Sequence, residues 1–243
     1  MIALEVKKMK KNFGGVKAVD GLSLKFEKGQ ITSLIGPNGA GKSTMVNLMT
    51  AMYPPDAGKM IVHGVTLEKW KSYNMPTYGV TRTFQDVRLF EQMSVLDNVL
   101  VVLTERGVFR SLFETHGELH LKQAEEILKR VDLWKKRDEK AEDLSYGQRK
   151  LLEIGRAVAM DADIYFFDEP FAGLFKEMVK TVVSILHELK NNGKTILLIE
   201  HNMDLIRELS DHVIVVDAGK FFAEGEASDV LARKDVVEAY LGE

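Results

Sequence analysis

Eight consecutive residues, Gly36-Pro37-Asn38-Gly39-Ala40-Gly41-Lys42-Ser43, set glycines, a lysine and a hydroxyl in the spacing G-x-x-x-x-G-K-[ST]. An apolar run, Ile31–Ile35, precedes them, and a helical pattern begins near Lys42. Glycines let successive backbone N–H groups turn inward, and a helix amino end adds partial positive charge, so the pair makes a concave site for phosphate oxygens. Lys42 supplies a point charge, and the Ser43 hydroxyl stands where Mg2+ can be held against β- and γ-phosphates. Gly36, Asn38, Gly39, Ala40, Gly41, Lys42, Ser43 and Thr44 form the expected phosphate-holding set.

A second run, 164–167, ends in Asp168-Glu169. If the run is a buried parallel strand, both carboxylates emerge at the carboxyl edge of the sheet, where ligands of open α/β sheets sit. Alone, the pair would be an ordinary acidic turn. Beside a phosphate loop, Asp168 becomes the expected Mg2+ partner, and Glu169 the group that polarises an attacking water. His201 follows another apolar run, 195–200, which should end on the same edge. Alone it reads as a solvated loop residue; with its neighbours it can hydrogen-bond a γ-phosphate and orient the water. His116 and His120 are four residues apart, but Gly117 intervenes and no third ligand accompanies them, so they read as surface.

Ser145 and Gln148 have the S-x-x-Q spacing of a capping box ahead of a helical pattern. The same hydroxyl, the Gly147 N–H and the helix amino end can also grip an anion. Two phosphate-binding helix ends in one small protein suggest a head-to-tail pair of subunits, each completing the other's site.

These residues need a sheet to hold them. The runs at 31–35, 164–167, 195–199 and 213–216 read as fully buried strands of a parallel α/β sheet, and those at 22–26 and 60–63, bounded by glycines, as an antiparallel flank. Between about Phe84 and Gly155 helical patterns take over, at 94–103, 119–131 and 148–160, which marks an inserted helical subdomain. Within 106–117 no pattern is readable. No repeat or low-complexity tract is present.

Composition narrows the function classes. The 243 residues are 45% hydrophobic, enough for a substantial core, and a net charge of −3 offers no broad basic field for nucleic acid. There is no cysteine, hence neither disulfide nor thiolate chemistry. Residues 1–12 alternate apolar and charged and hold no apolar signal core, so export is not expected. No apolar run approaches the ~18 residues that span a bilayer, and any membrane role is expected to be peripheral.

With these residues in hand, the chain resembles the ABC ATPase family over nearly its whole length. The resemblance implies a phosphate-loop NTPase core of the RecA-like kind with an antiparallel β flank and an inserted helical subdomain. It implies a single domain over 1–243, with the nucleotide-binding core at 1–85 and 156–243 and the helical part at 86–155. It also implies that Phe13, in Phe13-Gly14-Gly15-Val16-Lys17-Ala18-Val19, stacks on adenine. Gln85, in Arg82-Thr83-Phe84-Gln85, senses Mg2+ and the water, His201 is the switch histidine, and Leu144-Ser145-Tyr146-Gly147-Gln148 is the signature sequence. Two ATP molecules would lie between two cassettes, each γ-phosphate touched by the other subunit's Ser145, Gly147 and Gln148.

Within the family, the stretch from Arg82 to Phe90, then Met93-Ser94-Val95, Glu153-Ile154-Gly155-Arg156-Ala157 and the ending Ala239-Tyr240-Leu241-Gly242-Glu243 are similar to ATP-binding subunits of branched-chain amino-acid uptake transporters. Urea-uptake and lipopolysaccharide-export ATPases share parts of this pattern. The implied assembly is peripheral, at the cytoplasmic face of the membrane: a second ABC ATPase subunit, identical or different, integral membrane permease subunits and, indirectly, a substrate-binding protein, with no nucleic acid. Two departures stand out. Tyr146 replaces the first of two signature glycines, and Phe175-Lys176 follow Ala172-Gly173-Leu174 where many members have Asp-Pro, which puts coupling between the two sites in doubt. The alternative of a soluble ABC ATPase acting on ribosomes or DNA usually comes with linked cassettes or coiled-coil insertions, and that of a GTPase with N-K-x-D. The sequence has none of these.

Overall fold

Strands buried on both faces need apolar residues at every position, and Ile31–Ile35 (β3), Ile164–Asp168 (β7) and Thr195–Ile199 (β8) are buried throughout. In the computed structural model, which describes residues 1–67, 69–103 and 118–241 without the side chains of 239–241, these strands lie in a six-stranded sheet. The unreadable segment 106–117, with His116, falls outside the described residues.

Two compact units are present: Met1–Arg82, Asp163–Glu169 and Leu186–Glu243 in the first, and Thr83–Ala162 and Pro170–Ile185 in the second. The large sheet of the first unit also contains Val80–Arg82 (β6), His212–Asp217 (β9) and Lys220–Glu226 (β10), in the order β10-β9-β3-β8-β7-β6. All neighbours run parallel except β10, which pairs antiparallel with β9.

Alternation along each strand divides the apolar residues between two layers. Leu34, Leu197, Ile199, Ile214 and Val216 join one core with helix Lys42–Met49 (α1), which inserts Met45, Val46, Leu48 and Met49. Ile35, Val213 and Val215 join another with Ile206, Ala227 and Val230.

The first core is closed by an antiparallel sheet in the order β2-β1-β4-β5, formed by Ile2–Phe13 (β1), Val16–Glu27 (β2), Ala57–Val62 (β4) and Val65–Leu67 (β5). Its register opposes Leu4 to Phe26 and Val62, and Val6 to Leu24 and Met60, so one face is apolar. The charged residues that alternate along the amino end of the chain therefore belong to a strand, β1, which their alternation alone does not identify.

In the second unit, helices Val95–Leu103 (α2), Glu118–Arg130 (α3) and Tyr146–Ala159 (α4) pack on one another through Val95, Val99, Ala124, Leu128, Leu152 and Ile154. Their positions agree with the three helical patterns of the sequence. Helix Lys176–Asn191 (α5) follows; Met203–Leu209 (α6), Ala227–Val230 (α7) and Lys234–Leu241 (α8) belong to the first unit. No helix among the described residues is long and apolar enough to cross a membrane.

Candidate functional site

Parallel strands β3, β8 and β7 are adjacent, so the segments leaving their carboxyl ends are neighbours on one edge. The segment after β3 is the glycine-rich loop. Gly36 is required by contact: a Cβ there would stand 2.0 Å from the Val216 carbonyl oxygen, with φ at 154°. Gly41 caps α1 in a left-handed conformation (φ 95°), and no side chain caps the helix, so its first-turn N–H groups are left to an anion. Lys42 is buried, and its ammonium donates to the carbonyls of Gly36 (2.7 Å) and Pro37 (3.1 Å). Burial lowers its pKa, against which the negative charges of Glu169 and Asp168 act. Asn38, Gly39 and Ser43 are exposed, Thr44 is half-buried and Ala40 packs into the core.

Asp168 ends β7 and is buried, its Oδ2 3.4 Å from the Arg82 guanidinium. Glu169 follows in a left-handed conformation (φ 49°), a strain on the order of 1 kcal/mol for a residue with a side chain. Two hydrogen bonds hold it there: its N–H donates to the Ile199 carbonyl (2.9 Å), and its Oε1 lies 3.1 Å from His201 Nε2. The His201 segment is braced in turn by Glu200, a buried carboxylate that accepts from the His201 N–H (2.7 Å), and by Asn202, whose side chain caps α6 through the N–H groups of Asp204 and Leu205. Lys42, Asp168, Glu169 and His201 are thus fixed on three neighbouring segments of the first unit.

Phe13 ends β1 in the same unit. It is 42% exposed, with Tyr53 edge-on at 5.5 Å and the Lys11 ammonium 5.4 Å from its ring centre. That leaves aromatic surface for a flat ring to stack on.

The other candidate residues belong to the second unit. Ser145 and Gln148 form the capping box: Gln148 N–H donates to Ser145 Oγ (3.4 Å), and Ser145 N–H donates to Gln148 Oε1 (3.1 Å). A Cβ on Gly147 would meet Met178 Sδ at 2.7 Å, so Gly147 lets α4 pack closely against Met178. Tyr146 lays its ring against Gly173, where a Cβ would come within 2.9 Å of it, and Phe175 is exposed.

Gln85 is exposed on a segment held from behind. Glu153, buried on α4, accepts from the N–H groups of Phe84 (3.3 Å) and Arg88 (3.2 Å). Arg156 donates to the Arg88 carbonyl (2.7 Å) and covers the Phe90 ring, while Asn98 both donates to the Phe90 carbonyl and accepts from its N–H, each at 3.0 Å. Burial raises the pKa of Glu153 to about 7, opposed by the Arg88 and Phe84 N–H groups and then by the charges of Lys150 and Arg156. In the sequence, Glu153 and Arg156 stand out only through the resemblance of the stretch 153–157. The signal available was their i, i+3 spacing among the apolar residues of a helix, where a charge needs a buried partner.

Fold and site together define a phosphate-loop nucleotide-binding protein of the α/β class. The chain belongs to the ABC transporter family, whose pattern matches residues 19–172. A protein of Salmonella typhimurium named high-affinity branched-chain amino acid transport ATP-binding protein LivG is 38% identical, covering 99% of this chain and 98% of that one. The Pseudomonas aeruginosa protein named for the same transport, BraF, is 36% identical over the same shares. A solved structure described as the ADP conformation of an ATP-binding cassette of an ABC transporter covers 100% of both chains at 36% identity, with a TM-score of 0.85.

Proposed function

We propose that this chain is the ATP-hydrolysing subunit of an ABC importer for branched-chain or other hydrophobic amino acids. One observation carries the reading: Lys42, Asp168, Glu169 and His201 share one sheet edge with an uncapped helix amino end. Phe13 stacks on the adenine, and Lys42 with the N–H groups of 36–44 takes the phosphates. The oxygen donors Ser43 and Asp168 suit Mg2+, a hard cation that takes one or two carboxylates and completes its shell with substrate phosphates. Ser43 and Asp168 would hold it, and it would supply positive charge to offset that of the bound phosphates. Glu169 polarises the attacking water, while His201 orients that carboxylate and reaches the γ-phosphate; Gln85 senses metal and water. Ser145, Gly147 and Gln148 of a second cassette finish the γ-phosphate, so binding closes the pair and hydrolysis releases it. The cassette works at the cytoplasmic face of the membrane, on permease subunits fed by a substrate-binding protein. The substrate assignment follows the names of the relatives.

The test is Glu169→Gln in a transporter reconstituted with its permease subunits. Hydrolysis should fall by about 100-fold or more, the scale of a lost general base, while ATP affinity is kept. Equal turnover by variant and wild type would remove Glu169 from the mechanism. Stimulation by urea, with none by leucine, would move the protein to another import system.

A further inference from the structure

The phosphate-loop helix and the end of β7 are joined by one side chain that the function above does not use. Arg82 closes β6, paired with Phe166 of β7, and its side chain is only 9% exposed. Its Nη1 donates to Asn47 Oδ1 (2.7 Å) and to Thr50 Oγ1 (2.9 Å), and its Nη2 reaches Asp168 Oδ2 at 3.4 Å. Asn47 lies one turn beyond Ser43 on α1, and Thr50 is that helix's C-cap, its own hydroxyl donating to the Val46 carbonyl (2.8 Å). One planar fork thus spans two acceptors on the helix that carries Ser43 and one on the strand that carries Asp168.

We propose that Arg82 is a positioning residue for the divalent cation: it sets the Asp168 carboxylate against the phosphate-loop helix, and with it the separation of the two oxygen donors. The proposal rests on the metal reading of Ser43 and Asp168. A guanidinium suits the task because its donors diverge in a fixed plane, whereas an ammonium is a point charge that cannot hold three acceptors in one geometry. A cation at the C-terminal turn of α1 also opposes the helix dipole there, which keeps the contact in place whatever occupies the loop. Residues that orient metal ligands without touching the metal change its affinity by about 10–100-fold when replaced.

The experiment measures Mn2+ affinity of the nucleotide-bound protein by electron paramagnetic resonance, and nucleotide affinity in EDTA alongside it. Arg82→Lys keeps the charge and loses the fork: Mn2+ affinity should fall by about ten-fold, with metal-free nucleotide affinity unchanged. Thr50→Val leaves Arg82 and Asp168 in place and removes one acceptor, and should produce a smaller loss in the same direction. Mn2+ affinity kept by both variants overturns the proposal, and so does an equal fall in metal-free nucleotide affinity, which marks general damage to the fold. Ser43→Ala separates the two levels. If it also leaves Mn2+ affinity intact, the metal reading fails and the proposal with it; if it weakens Mn2+ while Arg82→Lys does not, only the role of Arg82 is lost.

Discussion

A single carboxyl group shows how strongly one residue can tie the second unit to pH. Glu153 is buried with its pKa raised to about 7, so the folded state prefers the protonated form. Its contribution to stability is full below the ordinary value of 4.5 and is lost as pH rises through about 7. Glu153→Gln keeps an oxygen for the Phe84 and Arg88 N–H groups and cannot ionise. Urea denaturation from pH 4.5 to 8 should show the wild type losing on the order of 3 kcal/mol relative to Glu153→Gln. Parallel pH profiles would show that the group titrates normally. Locally spelled features of the site were legible: the phosphate loop, the carboxylates ending a buried strand, the serine and glutamine three apart. Glu153 and the brace at Arg82 were not, because each acts on residues distant in sequence. Only folding reveals that Glu153 meets Phe84 or that Arg82 meets Asn47.

Among elements, α4 combines a structural and a proposed binding function at one end. Ser145 satisfies an N–H of its own helix, and its glutamine partner returns the bond. Ser145→Ala should therefore cost about 1 kcal/mol in the absence of any nucleotide, a capping loss that chemical denaturation can read. No change in stability would mean that the cap is idle and that the serine is kept for another purpose. Strands β3, β7, β8 and β9 of the large sheet and the three helices of the second unit were readable because continuous apolar runs and 3.6-residue periods leave few alternatives. Four strands were not: β1, β5, β6 and β10, of which β5 has only three residues. β1 intersperses Leu4, Val6 and Met9 with Glu5, Lys7 and Lys8 and only acquires meaning from β2 and β4 on either side. β6 has three residues, too few for a period, and β10 is a mostly exposed edge strand with little apolar signal.

At the scale of the molecule, nucleotide acts in the proposed function both as ligand and as glue. A ligand that binds only the folded protein stabilises it by about 2.7 kcal/mol at 100 times its Kd. For a chain of this size that corresponds to roughly 5–10 °C in Tm. Lys42→Ala, which removes the charge held among the Gly36 and Pro37 carbonyls, should abolish the shift. Association adds a second signature, since the Tm of a dimer that dissociates on unfolding rises with protein concentration and that of a monomer does not. In the Glu169→Gln protein, where hydrolysis no longer consumes the ligand, Tm should climb with protein concentration in MgATP and stay constant in MgADP, because the γ-phosphate is what the second cassette would grip. Differential scanning fluorimetry over a hundred-fold concentration range, with sedimentation velocity at both ends, separates the two effects. A concentration-independent Tm with monomers throughout MgATP would leave the nucleotide site standing and remove the closing pair. Ser145 and Gly147 would then be a helix cap and a packing glycine only, and the exposed Phe175 would need no neighbour.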